Sequence, residues 1–361
     1  MQIQALGYKL LIIIFILFST SCFSSTITQN TDKEVSISNK TDRKNELAKL
    51  VKLITLVEKY YVEKINLKEV ITISIEELKF YYKNQITTEV LNSIEQIIYK
   101  NNSMKYTQKN RIEFLTNLTK TIAIIEKYSF KKVSLDSLVS MLISKLSNRL
   151  NNRINKHFDV KKDKIVQKKI SSKIIENKYL YLKISEFDKG VSDKAKKIIQ
   201  NFDKKGILLD LRDNSGGLLN EGISLADFFI DKGIISLLKS RGKVTETYLA
   251  KQENTITKDP LVVLVNSSTV SGSEVVAGAL KDHKRAIIVG EKTFGYSSIQ
   301  MLFPISSKDF IKLSVAKVYT PNGQDINEKI IPDIKVSYGD KYDTDLQLNK
   351  AIDILDKITK K

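Results

Sequence analysis

Five hydroxyl side chains, Ser267, Ser268, Thr269, Ser271 and Ser273, crowd into the run NSSTVSGSE between Asn266 and Glu274. An apolar run, Leu261 to Val265, precedes them, and a helical pattern over Ser271 to Asp282 follows. A hydroxyl at a sharp strand-to-helix turn suits acyl transfer. The small Gly272 leaves the Ser271 side chain open, and a helix N-terminus favours the negative charge that develops on an attacked carbonyl. An N-capping serine occupies the same place, so both readings stand at this point. The available bases are few. His283 lies twelve residues after Ser271 on the same predicted helix, about 18 Å along its axis at ~1.5 Å per residue, and His157 lies outside the region. A Ser-x-x-Lys match at Ser236 to Lys239 falls in a predicted strand, and neither a GxSxG elbow nor an HExxH motif occurs.

The elements that must position these residues alternate between strand and helix. Strands are expected at Tyr179–Ile184, Gly206–Leu211, Ile234–Leu238, Leu261–Asn266, Ala286–Gly290, Ile299–Pro304 and Ile311–Thr320, and helices at Ser192–Phe202, Leu218–Phe229 and Ser271–Asp282. This alternation predicts an α/β domain over 178–340, followed by a C-terminal helix in 341–361. Residues 46–155 instead carry apolar positions at helical spacing, as in Leu47, Leu50, Val51, Ile54 and Val57, with almost no Gly or Pro. Within this helical domain, residues 58–78 (EKYYVEKINLKEVITISIEEL) align without gaps with 126–146 (EKYSFKKVSLDSLVSMLISKL), an offset of 68 residues. A duplicated helical unit follows, whose copies bury their apolar faces on each other or on the core. Oligomer formation through this domain is a further expectation.

Residues 1–22 read as a signal peptide: Lys9, an apolar stretch from Leu10 to Phe18, then Ser19-Thr20-Ser21-Cys22. Cys22 is the only cysteine, which excludes a disulfide framework and a cysteine metal site. Its place after small residues fits lipidation and membrane anchoring, with cleavage as an ordinary signal peptide as the alternative. Residues 23–45 are polar and suit a flexible tether. The full chain has 361 residues, 42% of them hydrophobic and 28% charged, and a formal net charge of +18. Its lysines are scattered, without the basic block and interleaved aromatics of nucleic-acid binders. No metal site or cofactor is expected.

Several segments together resemble the carboxyl-terminal processing (tail-specific) serine peptidases: GILLDLRDNSGG (206–217), VVLVNSSTVSGSE (262–274), GEKTFG (290–295), YTPNGQDIN (319–327) and IPDIKV (331–336). The resemblance covers roughly Asn177 to Leu355. It implies a crotonase/Clp-like spiral peptidase core, with Ser271 as nucleophile and Gln300 supporting the base. The family's catalytic lysine position, 25 residues after the serine, holds Tyr296. A buried lysine is readily neutral, whereas burial keeps a phenol protonated, so Tyr296 is a poor base and Lys292 is a candidate substitute. The implied oxyanion donors are the amides of Gly272 and of the Gly216-Gly217 turn, where Ser215 replaces the family's proline. The family's substrate-binding PDZ domain has no counterpart in 156–177, which reads as a linker. These features imply an exported serine endopeptidase of the bacterial cell envelope or periplasm, acting on protein or peptide substrates. The alternative is a pseudopeptidase that binds polypeptides or a partner.

Overall fold

The computed structural model describes residues 40–105, 111–129, 134–154, 169–203, 205–337 and 345–360. The leader with Cys22, most of the tether and His157 lie outside them. Two compact units result: one holds the helices up to Arg153 together with Met301–Leu313, the other Ile154–Gln300 with Ser314–Lys361.

The first unit contains α1 (Lys40–Tyr60), α2 (Leu67–Tyr82), α3 (Thr88–Ser103), α4 (Arg111–Tyr128) and α5 (Leu135–Ile154). Helix α1 starts at Lys40, inside the segment read as tether. The described parts of the two sequence copies fold alike: each begins in the last turn of one helix and ends within the next. Their caps coincide as well, with Asn66 Oδ1 accepting the Glu69 amide at 3.0 Å and Ser134 Oγ accepting the Ser137 amide at 3.2 Å. Equivalent apolar positions are buried in both, namely Leu67 and Leu135, Val70 and Leu138, Ile71 and Val139, Ile75 and Ile143, and Leu78 and Leu146. Each such side chain contributes roughly 1.5–3 kcal/mol. The buried Tyr61 hydroxyl donates to the Leu150 carbonyl at 2.8 Å and so ties the first copy's loop to α5.

The second unit is a layered α/β domain. Strands β1 (Ile170–Ile175), β2 (Tyr179–Ile184), β3 (Gly206–Asp210), β6 (Leu261–Val265), β7 (Ile287–Gly290) and β10 (Ile334–Lys335) lie side by side in that order, all parallel except β1. Strand β1 corrects the reading of 156–177 as a linker: its last third pairs with β2 and closes one edge of the core sheet. Both faces of β3 and β6 are apolar, as expected of parallel strands covered on both sides. Ile207, Leu209, Leu211, Val263 and Val265 pack with α6 (Val191–Gln200), α7 (Leu219–Asp227) and α8 (Gly272–Asp282). Leu208, Val262 and Leu264 pack with Ala351, Ile354 and Leu355 of α9 (Leu346–Thr359). Gly206 leaves room for that helix, since a Cβ there would stand 3.1 Å from Leu355.

A second sheet of four strands runs β5 (Lys243–Ala250), β4 (Gly233–Ser240), β9 (Phe310–Tyr319), β8 (Ser298–Pro304). Strand β5 was not anticipated. It is exposed over most of its length, and the Arg241-Gly242 turn joining it to β4 has φ of 52° and 76°, the paired left-handed geometry of a tight hairpin. The sequence signal was Gly242 after a β-branched run, weakened by an arginine where Asn or Asp is usual.

Candidate active site

Three loops leave the carboxyl ends of three adjacent parallel strands, where open α/β sheets place their sites. From β3 comes Leu211 to Leu218 with the glycine pair, from β6 comes Asn266 to Ser271, and from β7 comes Glu291 to Ser297 with Tyr296. Hydrogen bonds fasten them to one another. Thr269 Oγ1 donates to the Leu211 carbonyl at 2.9 Å, Asn266 and Asp213 exchange two bonds of 3.0 and 2.8 Å, and the Phe294 amide donates to the Thr269 carbonyl at 3.0 Å.

Ser271 has φ 60° and ψ −114°. An N-cap residue ordinarily adopts extended backbone, and a left-handed φ on a residue with a Cβ costs on the order of 1–3 kcal/mol. Ser271 is thus the strained one among these hydroxyl residues; Ser267 and Ser268 are exposed, whereas Thr269 and Ser273 are withdrawn. Thr269 is buried and bonded to Leu211, and Ser273 is buried with its Oγ donating to the Val270 carbonyl at 2.8 Å.

Gly216 sits against the Ser271 side chain: a Cβ added there would lie 2.7 Å from Ser271 Cβ. Its amide, however, donates to Asn214 Oδ1 at 2.8 Å and is not available to a ligand, which corrects its place among the oxyanion donors. The amides of Gly217 and Gly272 have no acceptor among the described residues. Gly217 flanks Phe187, whose main chain bonds to the residues on either side of it, and Gly272 opens α8. Two amides without an acceptor, close in sequence to the half-buried Ser271 and to Gly216 against it, are the kind of donors that acyl transfer requires. Ser215 uses the amide that a proline would lack, donating to the Ser185 carbonyl at 3.2 Å.

Glu274 was missed by the sequence reading. It is fully buried and its carboxylate accepts four bonds: the Ser271 and Tyr296 amides on Oε2 at 2.8 and 2.9 Å, and the Gly295 amide at 2.7 Å and Thr293 Oγ1 at 2.5 Å on Oε1. Burial pushes its carboxyl above the usual range, against the pull of these four donors. One oxygen thus holds the main chains of Ser271 and Tyr296 side by side. The Ser-x-x-Glu spacing of a capping box was the available signal.

Tyr296 and Gln300 are both half-buried, and the Gln300 side chain has no partner among the described residues. Lys292 is exposed, on a segment pinned by the Glu291 amide to Val265 at 3.0 Å and by the Thr293 amide to Ile330 at 3.1 Å. His283 closes α8 at the end opposite Ser271, its Nε2 2.7 Å from the Ile234 carbonyl. Ser236 and Lys239 lie in β4, with Ser236 Oγ donating to the Tyr319 carbonyl at 3.0 Å.

The chain is similar to several known proteins. The carboxyl-terminal-processing protease of Picosynechococcus is 36% identical over 209 residues, 54% of this chain and 50% of that protein. The chloroplastic carboxyl-terminal-processing peptidase 2 of Arabidopsis thaliana is 40% identical over 152 residues, 41% of this chain and 30% of that one. The chain thus spans half or less of the length of these relatives. The solved photosystem II D1 C-terminal processing protease superposes with a TM-score of 0.52 over 81% of this chain and 93% of its own, at 18% identity, a likeness of fold. Residues 178–336 match peptidase family S41 as a block that includes the three loops, the strained Ser271 and the Gly216-Gly217 turn. The likeness to peptidase family S41 is carried by residues 178–336 of this chain.

Proposed function

We propose that the protein is a serine endopeptidase of the tail-specific type, with Ser271 as its nucleophile. The observation that carries the reading is the strained Ser271 turn, with Gly216 against its side chain and the nearby amides of Gly217 and Gly272 without an acceptor among the described residues. Ser271 Oγ attacks the scissile carbonyl while its proton passes to solvent water, which returns a proton to the leaving amine, and the carbonyl oxygen takes its charge onto the two amides. Collapse expels the amine half of the substrate, protonated as it leaves, and forms the acyl-enzyme. Water then releases the carboxyl half. The proton acceptor is the weak part of this site. Tyr296 stands at the family's lysine position and a phenol resists deprotonation, so turnover is slow, by about 10² to 10⁴-fold for the loss of general-base catalysis.

Export to the cell envelope, lipid attachment at Cys22 and action on envelope proteins complete the proposal, supported by the leader pattern of residues 1–22. A second reading, a pseudopeptidase that binds polypeptides or a partner, is favoured by Tyr296. The exposure of Lys292 and the main-chain bonds on both sides of it argue against its recruitment as the substitute base.

Proteolysis of an unfolded protein by the form lacking residues 1–22, compared with Ser271→Ala and Tyr296→Lys, tests both. Slow cleavage that disappears in Ser271→Ala supports the peptidase. A silent native form with activity gained in Tyr296→Lys supports the binding reading, and cleavage that survives Ser271→Ala refutes the nucleophile.

A further inference from the structure

The helical unit contains a cleft of about 550 Å³, lined by α2, the end of α3 and α5. Small-ligand sites span roughly 300–1,000 Å³, so the size is suitable. Its lining is polar: Lys68, Thr72 and Glu76 of α2, Asn102 of α3 and Arg149 of α5 contribute, and Ile73 is the one apolar side chain. Lys68, Thr72 and Glu76 are spaced by four and share one face of α2. Lys68 stands at the positive start of the helix, and Glu76 lies about 12 Å farther along its axis at ~1.5 Å per residue. Both charges have capacity left. Lys68 Nζ donates to the Asn102 and Met104 carbonyls at 2.9 and 2.7 Å, which leaves one of its three hydrogens. Glu76 accepts from Arg149 on Oε2 at 2.8 Å, and its Oε1 has no partner among the described residues. The same guanidinium also donates to Glu77 Oε1 at 2.9 Å, so this cluster is net negative. Between the two charges Thr72 is buried, and its Oγ1 has no partner among the described residues, a state that buried hydroxyls avoid.

We propose that this cleft binds a short peptide with both termini free, its carboxylate at Lys68 and its ammonium at Glu76. The direction follows from the two ends. The helix start and Lys68 favour an anion, whereas two carboxylates against one guanidinium favour a cation. The length follows from the span: three residues reach at most about 10 Å at ~3.3–3.6 Å each, and the long side chains of Lys68 and Glu76 close the remainder. Thr72 lies between the ends, where a peptide group can bond its hydroxyl. A lining this polar disfavours an apolar ligand, and a lone anion or cation would satisfy only one end. All the lining residues belong to the helical unit, whereas Ser271 belongs to the other, so the binding stands apart from the peptidase reading.

Titration calorimetry of the protein carrying Ser271→Ala tests this without cleavage, with trialanine as the probe and N-acetyl-trialanine amide as the blocked control. Trialanine is expected to saturate a single site and to slow hydrogen exchange in 67–76, and the blocked peptide to bind at least about tenfold more weakly. Lys68→Met and Glu76→Gln are each expected to weaken trialanine by about tenfold or more. Lys68→Met also removes two bonds to the end of α3, so Glu76→Gln, which keeps the shape of the side chain, decides the matter if the first variant unfolds. The proposal is overturned by an absence of saturable binding, by equal binding of the blocked peptide, by protection only outside the helical unit, or by full affinity in Glu76→Gln.

Discussion

Each residue of the candidate site is defined by what its main chain must do. Glu274 joins the nucleophile turn to the Tyr296 loop through four donors, so Glu274→Gln places an amide nitrogen opposite main-chain N–H groups and leaves buried donors unpaired. A loss of about 2–4 kcal/mol in urea denaturation is expected, together with lost cleavage in the Tyr296→Lys background. Gly217 has φ 128°, and a Cβ there would stand 2.2 Å from the Phe187 carbonyl oxygen. Gly217→Ala is therefore expected to displace the turn and abolish cleavage while the β6 core survives, which circular dichroism and activity assays separate. Ser271 and the two glycines were legible in the sequence as a motif, yet nothing in the sequence distinguished the occupied amide of Gly216 from the unpaired amide of Gly217. That difference depends on the side chain of Asn214, whose Nδ2 is held by the Ile184 carbonyl at 2.9 Å and whose Oδ1 therefore faces the turn.

Among the elements, α9 is held by charged groups at its start and along its length. Arg212 donates to Asp210 with bonds of 3.0 and 2.6 Å and to Asp345, the N-cap of α9, with bonds of 2.7 and 2.8 Å. Asp210 is fully buried, so Arg212→Met strands a buried carboxylate, with an expected cost of about 3–5 kcal/mol measured by chemical denaturation. Burial raises the Asp345 carboxyl, but the Arg212 bonds more than offset it and hold the group below its usual value. The Lys178 hydrogen bond does the same for Asp356 farther along the helix. A carboxylate depressed in the folded state contributes stability that is present above its ordinary value, about 3.9, and is lost as pH falls through the depressed one. Acidification below about pH 4 is therefore expected to release α9 first, seen as faster exchange in 346–359 while β3 and β6 stay protected. The positions of most strands and helices of the α/β unit were legible from their periodicity, whereas β1 and β5 were not. Both are edge strands with few buried side chains, so the alternation that marks a strand is weak in each.

For the whole molecule, the helical unit is discontinuous in sequence because it includes Met301–Leu313. A fragment beginning at residue 155 would leave Ile305, Ile311 and Leu313 without the helices of their unit, each worth roughly 1.5–3 kcal/mol of lost burial. Such a fragment is expected to bind a hydrophobic dye and to aggregate, and replacement of 301–313 by a short turn is expected to restore solubility. Equal solubility of the two fragments would show that the tip does not depend on the helices.

By itself the sequence determined the class of the core, the order of most of its elements and the duplication of the helices, and it singled out Ser271 as a candidate, because these are properties of local periodicity and of short motifs. Tertiary structure alone decided which glycine amides are unpaired, that Glu274 carries both Ser271 and Tyr296 on one oxygen, and that Asp309, only nine residues after Gln300, is held by helices far earlier in the chain. These depend on contacts between residues distant in sequence, which leave no period or spacing to be read.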